Sequence, residues 1–175
     1  MTTYIALLRA VNVGGTGKLP MADLIQLCQK AGFQNPRTYI ASGNVLFHSP
    51  KSELQVQTQL QSALEKYADK PIAVLVRTAA EMAAVLQANP FPNAQPNRTV
   101  AIFLNDPPPK NTLQTLTGQK DEVVRLGTRE IYVHYGDAMA TSKLKIPAAK
   151  TGTARNLNTI AKLAALAASS LATKE

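Results

Sequence analysis

The chain has 175 residues, 45% of them hydrophobic and 17% charged, with a formal charge of +8 and a pI near 9.7. That balance excludes a disordered polyelectrolyte, no window approaches a bilayer-spanning length, and the basic excess favours anionic partners such as nucleic acid, nucleotides or acidic surfaces. Cys28 is the single cysteine, so an intrachain disulfide is excluded, no Cys/His group has zinc-ligand spacing, and a cytoplasmic setting is expected.

Tyr4–Leu8 is an apolar run of strand length, broken by Arg9 and preceded by no basic region, so a signal peptide is not expected. It leads into Arg9-Ala-Val-Asn12-Val-Gly14-Gly15-Thr16-Gly17-Lys18. Pro20 fits the first position of a helix and Gly32 the position just past its end. On that helix Leu24, Leu27, Cys28 and Ala31 share an apolar face, which points to a buried, inert thiol. Arg37–Ala41 and Val45–His48 read as strands around the turn Ser42-Gly43-Asn44. Ser52-x-x-Gln55 is a capping box opening a helix to about Tyr67, with Val56, Leu60, Leu64 and Tyr67 as its apolar stripe. Pro71–Arg77 supplies a further strand. The order βαββαβ predicts a ferredoxin-like antiparallel sheet with its helices on one face. Both faces of the first strand are apolar, so the helix-free face is expected to be covered by the rest of the chain or by a second copy, leaving monomer and dimer open.

Thr78-x-x-Glu81 is a second capping box, and its helix stops before Asn89-Pro90-Phe91-Pro92. The proline- and asparagine-rich stretch to Asn97 is the best linker. Thr99–Leu104 reads as a strand, Pro107–Pro109 as a turn into a short helix ending at Gly118, and Glu122–Leu126 with Arg129–Tyr135 as a second hairpin. Thr153 is expected to cap an alanine-rich helix to about Leu171. The expected organisation is α+β, with a first subdomain over 1–78 carrying the glycine-rich loop and a second, reduced one over 79–175 ending in a basic helix. Both hairpins end in an apolar residue followed by histidine, at His48 and His134, a hint of internal duplication.

A strand, a glycine-rich loop and a helix start together make a candidate anion cradle, because glycines let backbone N–H groups converge. GGTGK is not a Walker A loop, since Asn12 stands where its first glycine belongs and Leu19 where its Ser or Thr belongs; Pro20 likewise breaks the dinucleotide pattern. In a βαββαβ sheet this loop and the 42–44 turn emerge at one end. Arg9, Asn12, Gly14, Gly15, Lys18, Ser42 and Asn44 are therefore candidate ligand-binding residues, against the plainer reading of turn formers and a solvated lysine. The second candidate group is Ser142, Lys143, Arg155, Asn156 and Thr159, set in a basic run with Lys145, Lys150 and Lys162. Placed on a helix, Arg155, Thr159 and Lys162 would share one face and meet a phosphate; the alternative is a solvated basic helix end. No motif points to nucleophilic or metal catalysis, and no cofactor is expected. The first expectation is binding of a phosphorylated ligand, nucleotide or nucleic acid. The alternatives are a small enzyme acting on a phosphorylated or carboxylated metabolite between the halves, or a protein-interaction module.

Five phrases carry a resemblance: Leu7-Leu-Arg9-Ala-Val-Asn12-Val-Gly14-Gly15, Thr38-Tyr39-Ile-Ala-Ser42-Gly43-Asn44-Val45, Ala88-Asn89-Pro90-Phe91, Thr141-Ser142-Lys143-Leu144 and Gly152-Thr153-Ala-Arg155-Asn156. Over nearly its full length the chain resembles the bacterial family of conserved proteins known as domain of unknown function 1697. Where that family is expected to carry tryptophan after the Arg-Asn pair, this chain has Leu157. The resemblance implies an α+β fold with two ferredoxin-like subdomains and a cytoplasmic setting, and it implies no activity.

Overall fold

A computed structural model describes residues 1–12 and 18–172. Strands β1 (Thr2–Leu8), β2 (Gln34–Thr38), β3 (Asn44–Ser49) and β4 (Val74–Thr78) form an antiparallel sheet in the order β2-β3-β1-β4. Strands β5 (Thr99–Phe103), β6 (Val123–Leu126), β7 (Glu130–His134) and β8 (Thr153–Asn156) form a second antiparallel sheet, β6-β7-β5-β8, which repeats that order. The class is α+β with two ferredoxin-like sheets. The chain divides into two compact units, Met1–Met82 with Leu163–Glu175, and Ala83–Lys162.

In the first unit the helices α1 (Met21–Lys30) and α2 (Glu53–Ala68) cover one sheet face. Leu24 and Cys28 of α1 and Val56, Leu60 and Leu64 of α2 pack on Tyr4, Ala6, Leu8, Val45, Phe47, Val74 and Val76. Each such aliphatic side chain contributes about 1.5–3 kcal/mol by leaving water. The α2 capping box forms as read: the Ser52 hydroxyl accepts from the Gln55 N–H and the Gln55 side chain accepts from the Ser52 N–H. Tyr67 departs from the expected stripe. Its ring is 43% exposed, and its hydroxyl donates to Asp23 of α1 instead of entering the core. On the other face of this sheet Thr3, Ile5, Leu7, Leu46, Leu75 and Arg77 are also buried. That face is therefore covered within one chain, and burying it needs no second copy.

The second unit repeats the strands without α-helical crossovers. Val100, Ile102, Leu104, Val124, Ile131 and Val133 form its core, closed by Leu116, Tyr135, Leu144 and Ile146 from irregular segments. Pro107–Pro109 remove three successive N–H donors, so the helix expected before Gly118 shrinks to a 3-10 turn at Thr112–Thr115.

Register shows how close the repeat is. Thr3 lies opposite His48 and Thr99 opposite His134, and in both pairs the threonine hydroxyl is hydrogen-bonded to the imidazole Nδ1, at 2.9 and 3.0 Å. Arg77 lies opposite Ile5, and Arg155 opposite Ala101 at the matching place. Each arginine precedes a helix cap. Thr78 caps α3 (Ala79–Gln87) through the Glu81 N–H, and Asn156 caps α4 (Leu157–Ala172) through the Thr159 N–H. Thr153 therefore does not cap the last helix, as the sequence suggested, but begins β8. Pairing with the edge of β5 satisfies its backbone, and the burial alternates as in a strand, with Thr153 and Arg155 buried and Ala154 exposed.

Candidate anion-binding cleft

At the end of β1 the chain is tied on both sides: the Leu8 N–H donates to Gly43 O at 2.8 Å and the Arg9 N–H to Ala73 O at 2.9 Å. The loop after β1 and the 42–44 turn are thus neighbours, as the topology predicted. Asn12 makes the link. Its side-chain amide donates to Leu19 O at 2.9 Å and to Ala41 O at 2.7 Å, and its carbonyl accepts from the Leu19 N–H at 2.7 Å. Gly43 is required here, because at φ +85 a Cβ would lie 2.5 Å from Val11 Cγ2. Asn44 is fully buried and donates to Tyr39 O and Ser42 Oγ at 3.0 and 3.1 Å. Asn12, Ser42 and Asn44 are therefore tied into the hydrogen bonds that shape the rim. Gly14 and Gly15 lie outside the described residues.

Beside this rim opens a cleft of about 690 Å³. Its cationic lining is Arg9, Lys18 and Lys70, and its apolar lining includes Val11, Leu19, Pro71 and Ile72. Three elements converge to place the charges. Arg9 follows β1, Lys18 precedes α1, and Lys70 follows Asp69, which ends α2 in the left-handed region at φ 57. No carboxylate lines the cleft among the described residues, and the nearest one on the page, Asp23, stands behind the wall where it accepts from the Tyr67 hydroxyl. Tyr67 stands in the wall. Its phenol is pushed above the ordinary range, first by the hydrogen bond to Asp23, then by burial and by the Asp23 charge. Ala10, Asn12 and Ile40 all adopt positive φ, at 54, 54 and 52°. Such residues cost about 1–3 kcal/mol each and cluster at working sites, and a β-branched Ile40 is the least comfortable of the three.

The second candidate group, in the second unit, is not a cluster on one helix. Arg155 lies on β8, 8% exposed, donating to Thr153 Oγ1 at 2.8 Å and to Ala154 O at 2.9 Å, and burial lowers its pKa to about 10. The expected helical face with Thr159 and Lys162 is therefore absent: Arg155 precedes the helix, Thr159 is buried, and Asn156 uses its side-chain oxygen as the cap. Ser142 Oγ accepts from the Leu144 N–H at 3.2 Å. Thr117 and Lys145 exchange backbone hydrogen bonds, so this segment is extended. Leu144 and Ile146 face the core while Lys143 and Lys145 face solvent.

Residues 1–132 match the family described as Protein of unknown function (DUF1697). The chain belongs to this family. The solved structure of the conserved bacterial protein SP0830 from Streptococcus pneumoniae is similar, at 25% identity and a TM-score of 0.79, covering 95% of this chain and 98% of that one. Among curated proteins nothing matches.

For this DUF1697 chain, Lys70 and Tyr67 are among the cleft residues that escaped the sequence reading, which gave Lys70 no role and placed Tyr67 on the apolar stripe of its helix. The signal lay in topology, since β4 pairs antiparallel with β1 and the residues just before β4 must lie beside Arg9. The described residues hold no group of three or more His, Cys, Asp or Glu arranged for a metal. None of their helices is long and apolar enough to cross a membrane.

Proposed function

We propose that the protein binds a phosphorylated or carboxylated small molecule of about nucleotide size in the cleft of the first unit. The observation that carries this reading is Arg9, Lys18 and Lys70 around an apolar lining with no carboxylate among them. The volume of about 690 Å³ lies within the usual range for small-molecule sites, roughly 300–1,000 Å³. A nucleic-acid footprint over the basic run is less favoured, because Arg155 is buried and the lysines beside Leu144 are the outward half of an extended segment. The single buried cysteine supports a reducing, cytoplasmic setting.

Thermal unfolding with pyrophosphate, AMP and ATP tests the reading. A ligand at 100 times its Kd stabilises by about 2.7 kcal/mol. Lys18→Met and Lys70→Met are expected to abolish that shift while leaving the ligand-free melting temperature unchanged. Arg155→Leu is expected to destabilise the ligand-free protein by about 1–3 kcal/mol through its lost buried hydrogen bonds, lowering the melting temperature, and to leave the shift intact. No shift with any anion would overturn the proposal.

A further inference from the structure

A second groove, of about 650 Å³, runs between α1 and α2. Leu27 and Lys30 of α1 line it, with Gln59, Lys66 and Tyr67 of α2. Tyr67 also lines the cationic cleft, so the two depressions meet at this aromatic side chain. Its ring is exposed while its hydroxyl is held by Asp23, which presents the ring in one orientation between the two depressions. Each depression carries lysines, and neither is lined by a carboxylate among the described residues. Gln59 lines the groove with the rest of its side chain, while its Oε1 is buried out of contact with the groove and has no hydrogen-bond partner.

Resting on the anion-binding reading, we infer that the site takes a ligand of dinucleotide class. One phosphate lies at Arg9, Lys18 and Lys70, a base stacks on Tyr67, and the second nucleotide extends along the groove toward Lys30 and Lys66. The chemistry follows from the parts. Aromatic rings hold bases by their π-faces whatever the base, and lysines meet phosphates as point charges. A mononucleotide fills only one of the two depressions.

Calorimetric titration with the 5′-phosphorylated dinucleotide pApA, with AMP and with an adenosine octamer tests this. The expected result is that pApA binds at least about tenfold tighter than AMP, and that Tyr67→Ala costs pApA about tenfold through lost stacking. Tyr67→Phe keeps the ring and is expected to keep the affinity, although it removes the bond to Asp23. The double variant Lys30→Met/Lys66→Met is expected to bring pApA down to the level of AMP without changing AMP itself. Equal binding of AMP and pApA, with no effect of the two lysines, would overturn the inference while leaving the cleft reading standing. An octamer binding more than about tenfold tighter than pApA would also overturn it, since the site would then run beyond the two depressions. Failure of AMP, pApA and the octamer alike would remove the cleft reading together with this one.

Discussion

The two sheets share strand order, register, the Thr–His pairs and the placement of Arg77 and Arg155, yet they cover their matching faces by different means. In the first unit two amphipathic helices do it, with three consecutive inward positions of α2 fully buried. In the second, Leu116, Leu144 and Ile146 arrive on irregular chain, and Leu144 is only partly buried. The contrast separates two jobs. Strand patterning is enough to specify a ferredoxin-like sheet, whereas what joins the strands decides whether a concave surface is left beside it. Of the residues lining the cleft, none lies within a strand; they come from the β1–α1 connection, the end of α2 and the approach to β4.

The sharpest way to break this comparison is at Gly118, which lies against Lys143 at the start of the extended segment 143–146, the strap that covers the second sheet. At φ +71 a Cβ would come within 2.1 Å of Lys143 O, a backbone atom that cannot yield cheaply. Strain and overpacking together give an expected loss of about 4 kcal/mol for Gly118→Ala, read from urea unfolding. A neutral result would mean that the strap is not fixed there. The next effect compares the two coverings directly. Leu60→Ala in α2 is expected to cost about 3 kcal/mol and Leu144→Ala in the strap about half of that, because Leu144 keeps part of its surface in water. Equal losses would show the strap to be as tightly packed as the helices.

The smallest effect concerns Cys28, which burial in the helix-covered core raises to about 12 from 9.0. The sign is that of a group kept neutral by folding: its contribution to stability is fully present below pH 9.0 and is lost progressively as pH climbs from there through about 12. Because burial keeps this thiol protonated and out of reach, a thiol reagent is expected to leave the native protein unlabelled at pH 8 and to label it promptly in guanidinium. Rapid labelling of the native protein would show that α1 opens readily from the sheet.

Much of this was legible along the chain. Both capping boxes, at Ser52 and Thr78, formed as read, because a cap is a local bargain between residues three apart. Both histidine-ending hairpins were found, because alternation is also local. Thr153 to Asn156 was misread, since four residues before an alanine-rich helix carry no strand signal of their own and become a strand only when β5 offers an edge. The same non-locality hid Lys70 from the cleft lining and put Arg155 on a helix instead of on β8. Lys143 and Lys145 looked like a footprint, although the alternating Leu144 and Ile146 already marked an extended segment with its apolar side inward.

Asn12 has a consequence of its own. By gripping both backbone groups of Leu19 and the Ala41 carbonyl, it closes the chain between residues 12 and 19 at its two ends, independently of what is threaded between them. The entropy of closing a longer loop rises only slowly, about 0.6 kcal/mol for each doubling of length. A clasp of this kind holds residues 12 and 19 beside Ala41 through side-chain bonds of its own, separate from the strand pairing of the sheet beneath.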